Sequence, residues 1–231
     1  MTLKPEQHKN LLFQILKDIY SDTSISPYLG FKGGTAAYIF YDLPRFSVDI
    51  DLDLLDESKE KLVFSKVEEI VKKYGQLKES ITKRYNWFFL VSYEKEAQNI
   101  KVEINRRSFG SEFELKTYLG VSMLVMKQDD MLAHKLMALY ERLGHSNRDM
   151  FDVWYFLHKN WPIDKKLVED RAGTSYKNFL GKCIRAIEAM EDESILAGMG
   201  ELLDAKQKAW AKKSLKNDLI FLLKLALENE K

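Results

Sequence analysis

Residues 47–55, with the sequence SVDIDLDLL, constrain the fold of this chain more than any other stretch. Polar and apolar residues alternate here at every second position. Side chains of a β-strand point alternately to its two faces, so the pattern predicts a strand with one buried face and with Asp49, Asp51 and Asp53 together on the other. Like charges in one row repel each other. A bound cation would compensate for this repulsion, whereas an edge strand that merely faces water would not.

Two known kinds of acidic motif resemble this row but fit it poorly. An EF-hand calcium loop that began at Asp49 would require Gly at its sixth position, where the chain has Leu54. An Asp-x-Asp phosphatase site would leave the glycine pair upstream, Gly33 and Gly34, unexplained. A polar edge strand remains as the structural alternative. Carboxylates that point the same way from one strand can instead share divalent cations that assist attack at phosphorus, and Asp49 and Asp51 suit that task.

The segment before this strand is FKGGTAAYIFY, in which Gly33 and Gly34 precede a short helix that Thr35 can cap. Backbone N–H groups at a helix start, together with glycines that let a ligand approach closely, form a cradle for phosphate. No Gly-Lys-Ser/Thr sequence follows, so the turn is not a Walker A loop. Capping alone accounts for many Gly-Gly-Thr turns. Such a turn followed by an Asp-x-Asp strand is a stronger indication of a phosphate site.

The rest of the chain divides into an α/β part and a helical part. Residues 5–20 have the spacing of an amphipathic helix, as do residues 58–74. Strands are predicted in the segments YLGF, RYNWFFLVSY and NIKVEIN, the latter two rich in aromatic and β-branched residues. From Lys127 onward the periodicity is helical to the C-terminus. We therefore expect one domain over residues 1–125 and a helical domain over residues 126–231.

Composition excludes several classes of function. The 36 Lys and Arg residues nearly balance the 35 Asp and Glu residues, so no overall charge draws the protein to nucleic acid or to an anionic membrane. A single cysteine, Cys183, rules out an intrachain disulfide framework and is expected to be buried and inert. The N-terminus lacks a signal-peptide core, and no apolar run reaches the length of a membrane span. These features predict a cytoplasmic protein that does not enter membranes.

Four motifs follow one another along the chain: Gly33-Gly34-Thr35, Arg45-x-Ser47-x-Asp49-Ile50-Asp51-Leu52, Ala133-His134-Lys135-Leu136-x-Ala138-Leu139 and Arg148-Asp149-x-x-Asp152. In kind and order they resemble the AbiEii/AbiGii nucleotidyltransferase toxin family, a branch of the polymerase-beta-like superfamily. The resemblance covers residues 29–158, and the helical tail after residue 160 carries no matching motif. It implies an α+β fold, in which a polymerase-beta-like core of mixed sheet and flanking helices precedes a helical half that completes the active-site cleft.

The activity that this resemblance implies is metal-dependent transfer of a nucleotide from an NTP to an acceptor, within a toxin–antitoxin pair of the abortive-infection type. Gly33, Gly34 and Thr35 would hold the triphosphate, and Asp49 with Asp51 would bind two Mg²⁺ or Mn²⁺ ions. Ser47, on the same strand face as the aspartates, would also approach the triphosphate. The implied acceptor is the 3′ end of tRNA or a protein hydroxyl, and the implied partner is a cognate DNA-binding antitoxin.

Further site residues come from the same resemblance. A third metal carboxylate in the superfamily usually lies on a neighbouring strand in an apolar-acid-apolar pattern, which Val102-Glu103-Ile104 supplies. Glu103 is therefore the candidate, although a single acid in a strand is often only a surface residue, and Asp53 is the alternative. Arg45 is either a phosphate ligand or a partner of a nearby acid. Lys135 would balance triphosphate charge, whereas His134 beside it is expected to be a bystander.

Asp149 and Asp152 would hold Lys135 or act near the reacting hydroxyl. Each also has a structural alternative: Ser146-x-x-Asp149 has the form of a capping box, and Arg148 with Asp152 has the spacing of an i, i+4 ion pair.

An RNA acceptor would need a local basic path. The best candidates for it are Lys72, Lys73, Lys83, Arg84, Arg106 and Arg107. A function of a different class is a non-catalytic module that senses nucleotide or binds an antitoxin. The acid row argues against that alternative, because a binder has no need of carboxylates that face a triphosphate.

Overall fold

The computed structural model describes residues 3–230. Contacts within the chain divide these residues into two compact units, one that ends at Met126 and one that begins at Lys127. The first unit combines a sheet with helices, and the described part of the second is helical without strands. The predicted α+β class, a mixed sheet with flanking helices followed by a helical half, is confirmed.

The first unit is built on one seven-stranded sheet in the order β3-β4-β5-β2-β1-β7-β6. Its elements are α1 (Pro5–Ser21), β1 (Leu29–Lys32), α2 (Gly33–Phe40), β2 (Asp49–Leu54), α3 (Glu60–Lys72), β3 (Gln76–Thr82), β4 (Asn86–Ser92), β5 (Ile100–Asn105), β6 (Phe113–Tyr118) and β7 (Val121–Met126). Strand β2, which carries the acid row, lies in the middle of this order. It is antiparallel to β1 and parallel to β5.

Burial along β2 follows the alternation in its sequence. Ile50 and Leu52 are fully buried on one face of the sheet, whereas Asp49 and Asp51 on the opposite face are only partly buried. The predicted strand is therefore confirmed, and it is a central strand with neighbours on both sides. A polar edge strand, the structural alternative for the acid row, is excluded.

Three strands, β3, β6 and β7, were not predicted. Strand β3 is almost wholly exposed and pairs only with β4, so its sequence, QLKESIT, carries no apolar alternation. Its position depends on backbone hydrogen bonds to β4, which most residue types other than proline permit. Strands β6 and β7 form an antiparallel hairpin whose tight connection lies around Leu119 and Gly120.

The cap that Thr35 could supply to α2 does not form. Helix α2 begins at Gly33, with Lys32 preceding it, so Thr35 lies inside the first turn and does not cap the helix. The hydroxyl of Thr35 is used by another contact, described with the site below.

The second unit contains helices α4 (Gln128–Arg142), α5 (Arg148–His158), α6 (Lys165–Ala172), α7 (Tyr176–Glu188), α8 (Ala205–Trp210) and α9 (Lys216–Glu228), with a π-helical stretch at Ala211–Leu215. Helix α5 begins after Asn147 without a side-chain cap, so the Ser146–Asp149 capping box does not form. Cys183 is buried in α7, and loss of solvation raises the pKa of its thiol to about 12, in keeping with an inert cysteine. Among the described helices, none has the length and apolar character needed to cross a membrane.

Helix α1 supports the start of β2 through a buried histidine. His8 is fully buried, and its Nε2 donates to the carbonyl oxygen of Val48 at 2.9 Å, directly before Asp49. Its Nδ1 lies 3.2 Å from the hydroxyl of Tyr93, which can donate to it. Burial lowers the pKa of His8 below 6.5, and this effect exceeds the opposing effects of the Val48 carbonyl and the Asp49 charge.

The free energy of unfolding is expected to depend on pH through His8. Since the folded protein binds this proton less readily than the unfolded chain, stability is fully present above pH 6.5 and declines as pH falls below that value. His8→Gln should keep a donor toward Val48 but flatten the decline, as measured by urea unfolding at a series of pH values. His145→Gln, at an exposed position, should leave the wild-type slope. Equal slopes for wild type and His8→Gln would contradict the prediction.

Candidate active site

The glycine turn at the start of α2 lies against the residues of the acid strand. Gly33 has a φ of +77°, and a Cβ at this position would overlap the carboxylate of Asp51. A Cβ at Gly34 would lie 2.8 Å from Ser47 Oγ and 2.9 Å from Arg45 Nη2. The positive φ and the close contact together favour glycine at position 33, and at position 34 a larger residue would have to displace the side chains of Ser47 and Arg45. The turn and the strand, which the sequence places 15 or more residues apart, form one site.

Thr35 and Ser47 connect α2 to the beginning of β2. The Thr35 hydroxyl donates to the carbonyl oxygen of Asp49 and lies 3.0 Å from Ser47 Oγ. Thr35 is only 2% exposed and Ser47 only 6%. The Thr35 hydroxyl thus fixes the position of Asp49, and a phosphate would meet the backbone N–H groups of this turn rather than the Thr35 side chain.

Arg45 supports the same turn from within the protein. Its side chain is 1% exposed, and Nη1 donates to the carbonyl oxygen of Phe46 at 2.9 Å. Its Nη2 lies against Gly34. A direct contact between Arg45 and a phosphate stays a prediction, whereas its buried position beside the turn is a feature of the structure.

Strand pairing brings a second set of polar residues to the acid face. In the parallel β2–β5 pair, Asp49 lies opposite Lys101, Asp51 opposite Glu103 and Asp53 opposite Asn105. Paired residues of neighbouring strands point to the same face of a sheet. Lys101, Glu103 and Asn105 therefore lie beside the acid row, and Glu103 is adjacent to Asp51 as the predicted metal set requires.

Asp53 is occupied by two protein partners. It is 7% exposed, accepts a hydrogen bond from Asn105 Nδ2 at 2.7 Å, and forms an ion pair with Lys32 Nζ at 2.5 Å. Its charge is thus compensated within the protein. This arrangement favours Glu103 over Asp53 as the third carboxylate near a metal, although Glu103 Oε1 itself accepts a hydrogen bond from Asn86.

Lys101 is a site residue that sequence reasoning missed. Its Nζ lies 3.4 Å from Asp49 Oδ2 and 3.1 Å from Glu103 Oε2. Burial by itself lowers the pKa of Lys101, but the field of the surrounding carboxylates, that of Asp51 foremost, outweighs this effect and raises it. The available signal was the spacing in NIKVEIN, where Lys101 precedes Glu103 by two residues and so shares its strand face.

The donor set on this face suits a hard divalent cation that a substrate helps to bind. Among residues 3–230, no three His, Cys, Asp or Glu side chains are placed to hold a metal ion by themselves. Mg²⁺ is usually bound by one or two carboxylates together with waters and substrate phosphates. Asp49 and Asp51 can supply the carboxylates, and the contact between Asp51 and Gly33 places one of them beside the expected phosphate position.

The second unit contains a buried ionic cluster, in which Lys135 contacts Asp149 and Asp152, and Arg142 contacts Asp149. Lys135 Nζ lies 3.1 Å from Asp149 Oδ1 and 2.6 Å from Asp152 Oδ2. Arg142 Nη2 lies 2.6 Å from Asp149 Oδ2. Both aspartates are fully buried and Lys135 is 7% exposed. The structure thus brings Lys135, Asp149 and Asp152 together, with the aspartates holding the ammonium group, as one of the two predicted roles requires.

The predicted basic path is only partly available for a ligand. Lys72 pairs with Glu68 at 2.8 Å, Lys73 with Asp18 at 3.6 Å, and Arg106 with Glu60. These three cations are engaged within the first unit.

The other three candidates of the basic path lie near aromatic rings, of which that of Tyr85 is exposed and that of Phe88 is half-buried. The guanidinium groups of Arg84 and Arg107 lie 5.0 Å and 5.1 Å from the ring centroid of Tyr85, and Lys83 Nζ lies 5.1 Å from that of Phe88. Arginines beside an exposed tyrosine are typical of surfaces on which nucleic-acid bases stack.

Comparison with known proteins identifies relatives of this fold and sequence. Residues 14–216 match the family model described as "Nucleotidyl transferase AbiEii toxin, Type IV TA system". The match extends on both sides of the segment that carries the four motifs and reaches into the helical tail. A search of curated protein sequences finds no match.

Two solved structures from Helicobacter pylori are similar over nearly their whole length. One, a candidate nucleotidyltransferase from H. pylori, is 21% identical with a TM-score of 0.65, over 100% of this chain and 99% of that chain. The other, JHP933, is 20% identical with a TM-score of 0.60, over 98% of this chain and 94% of that chain. At these identities the likeness shows a shared fold.

Gly33→Ala is expected to disrupt both stability and the site. The positive φ alone costs about 1–2 kcal/mol for a residue with a Cβ, and here the Cβ would also displace the Asp51 carboxylate. Gly120→Ala is the matched control, because its φ is +79° and its Cβ would meet open space. We expect both variants to lose stability in urea unfolding, but only Gly33→Ala to lose binding of a fluorescent NTP analogue. Equal nucleotide binding by both variants would contradict the proposed contact.

Lys135→Met is expected to destabilise the second unit by about 3–5 kcal/mol, because it leaves two fully buried carboxylates without their shared cation. Lys135→Arg should retain most of the stability. Lys166→Met, which breaks an exposed pair with Asp170, should change it little. Denaturant unfolding of the three variants measures the difference. A loss for Lys135→Met no larger than that for Lys166→Met would show that the cluster is not a buried ionic unit.

Proposed function

This chain belongs to the AbiEii nucleotidyl transferase toxin family of type IV toxin–antitoxin systems, and we propose that it transfers a nucleotide from an NTP to an acceptor hydroxyl with the aid of a divalent cation. The observation that carries the proposal is the contact between the Gly33 turn and the Asp51 carboxylate. This contact puts a helix start, whose first N–H groups have no acceptor within the helix, beside an acidic strand. The N–H groups of the helix start can bind a triphosphate, and the carboxylates of the strand can bind its cations.

The triphosphate lies against the first turn of α2 in this proposal. The first N–H groups of a helix have no acceptor within the helix, and they carry the positive end of its dipole. Those of Gly33, Gly34 and Thr35 supply the donors, and no side chain at the two glycines blocks the approach of a phosphate. Ser47 and Arg45 hold this turn in place from behind.

Asp49 and Asp51 are the proposed ligands of Mg²⁺ or Mn²⁺, with Glu103 as the third carboxylate of the site. When bound, the metal supplies charge neutralisation on the phosphates and favours ionisation of the attacking hydroxyl. The chain itself contributes position: Thr35 fixes the backbone of Asp49, and the β2–β5 register fixes Asp51 beside Glu103. Rigid placement of this kind is the main contribution that a protein makes to phosphoryl transfer.

The reaction is a displacement at the α-phosphorus. The acceptor oxygen forms a bond to this phosphorus, the bond from it to the bridging oxygen of the β-phosphate breaks, and pyrophosphate leaves with that electron pair. The hydroxyl proton passes to a nearby base or to solvent. Little covalent chemistry is required of side chains, so orientation and charge neutralisation account for the rate.

Participation of the helical unit stays a prediction. Lys135 is the residue proposed to balance triphosphate charge, with Asp149 and Asp152 fixing the direction of its ammonium group. The same three residues also stabilise α4 against α5. Activity measurements on Lys135 variants therefore need the unfolding data described above, and Lys135→Arg, which keeps the charge, is the informative variant.

The proposed acceptor is the 3′ end of tRNA or a protein hydroxyl. The exposed Arg84, Tyr85 and Arg107 are the best-placed group on the first unit for contact with single-stranded RNA. The family also implies an antitoxin as partner, which we propose is a DNA-binding protein. The alternative function, a nucleotide-binding module without transfer, would keep an acid row that repels its ligand.

A labelled-nucleotide assay tests this function. Each of the four NTPs, labelled at the α-phosphate, is incubated with the protein, Mg²⁺ and bulk tRNA, with and without EDTA. We expect label in RNA or protein, and a loss of at least about 100-fold for Asp49→Asn and Asp51→Asn, because each removes a charge that the transition state needs. Asp53→Asn, on the same strand but paired with Lys32, should lose less.

The assay also separates the two candidate functions. Tight NTP binding without transfer of label to any acceptor would support the binding module and contradict the enzyme. Transfer that survives Asp49→Asn and Asp51→Asn would show that the acid row is not its site.

A further inference from the structure

The acid face of the sheet contains a cation of its own. Lys101 Nζ lies within 3.4 Å of Asp49 Oδ2 and 3.1 Å of Glu103 Oε2, and Asp51 is the carboxylate that most favours its charge. The centroid of the Phe88 ring lies 5.9 Å from this ammonium group. The same carboxylates are the proposed metal ligands. Lys101 therefore shares its partners with the cation that the reaction needs.

The charges of this face show that Lys101 has a different role from Lys32. Lys32 pairs with Asp53, and these two charges cancel. Lys101 instead contacts Asp49 and Glu103 and lies in the field of Asp51. Its ammonium group reduces the repulsion among these three carboxylates.

An ammonium group and a divalent cation compete for carboxylate oxygens. Mg²⁺ needs its oxygens at 2.0–2.1 Å in octahedral order, so it cannot share a lone pair that the ammonium hydrogen occupies. The two positive charges would also repel each other at close range. The side chains involved are accessible: Asp49 is 14% exposed, Lys101 22% and Glu103 26%. A metal ion can therefore reach these carboxylates from solvent, and the Lys101 side chain is itself in contact with solvent.

We propose that Lys101 is a built-in competitor of the divalent cation. Without metal, Lys101 holds the acid row together, and it weakens metal binding until a nucleotide is present. This inference rests on the proposed function for the identity of the metal ligands. The triphosphate brings negative charge to the face, so Lys101 and the metal can then be accommodated together. Metal binding and nucleotide binding are coupled as a result.

A simple tether would behave differently from a competitor. If Lys101 only joined β5 to β2 through its ion pairs, its removal would lower stability and leave metal affinity unchanged or weaker. If it competes, its removal raises metal affinity in the absence of nucleotide. The two roles thus predict opposite signs for one measured quantity.

The metal affinity of the full chain can be measured with Mn²⁺ and does not require activity. The electron paramagnetic resonance signal of free Mn²⁺ reports how much of the ion is bound. Lys101→Gln is expected to bind Mn²⁺ at least about tenfold more tightly than wild type, because a positive charge next to the ligands is gone. Lys101→Arg, which keeps the charge, should stay close to wild type. The difference between Lys101→Gln and wild type should narrow when a non-hydrolysable NTP analogue is added.

Two controls test whether the gain in Mn²⁺ affinity arises from the position of Lys101. Lys32→Gln removes the same charge from the same sheet face, but its partner is Asp53, so it should raise Mn²⁺ affinity less than Lys101→Gln. Asp49→Asn combined with Lys101→Gln should abolish the gain. A gain in both lysine variants of equal size would indicate only a general change in surface charge and would overturn the assignment to Lys101.

The remaining outcomes are also decisive. Equal or weaker Mn²⁺ binding by Lys101→Gln overturns the competitor role, as does the absence of binding by both proteins at millimolar Mn²⁺. If the labelled-nucleotide assay shows no transfer while Lys101→Gln gains Mn²⁺ affinity, the proposed function fails and the competitor role stands. If wild type transfers label but Lys101→Gln gains no Mn²⁺ affinity, the proposed function stands and the competitor role fails.

Discussion

The parallel pairing of β2 with β5 is the constraint on which the rest of the site depends. It sets Asp49, Asp51 and Asp53 directly opposite Lys101, Glu103 and Asn105, so a row of acids that would repel each other is interleaved with a cation, an amide and one further acid. A shift of this pairing by one residue would send all three β5 side chains to the buried face. The apolar residues of both strands, which are buried, prevent such a shift.

The glycine turn forms the second half of the site. Contacts in the folded chain, rather than closeness in the sequence, bring this turn to the acid strand. Gly33 lies against Asp51, and Thr35 donates a hydrogen bond to the backbone of Asp49, so the helix start is held against the acid strand. This accounts for the choice of residues at three neighbouring positions. Both glycines give room, Gly33 also adopts a positive φ, and the threonine supplies a hydroxyl that reaches across to the strand.

Local patterns in the sequence predicted the acid strand and the glycine turn of this site, but not the side chains that contact them. The alternation in SVDIDLDLL was sufficient for β2, since period-two burial depends only on the strand itself. Lys101 was missed because its role depends on which residue lies opposite Asp49, and that register is fixed by long-range packing. Thr35 and Asp149 show the same limit: each has the sequence of a helix cap, yet the hydroxyl of Thr35 bonds to Asp49 and the carboxylate of Asp149 bonds to Lys135 and Arg142.

The two lysines that flank the acid strand also affect how the chain folds. Proteins whose metal site is the only thing that neutralises its ligands are often unfolded until the metal arrives. Here Lys32 from β1 and Lys101 from β5 offset much of the charge of the row from within the chain. Under the proposed function, folding and metal loading would consequently be separate events: a newly synthesised chain would complete its sheet first and acquire the proposed cation later, together with its nucleotide.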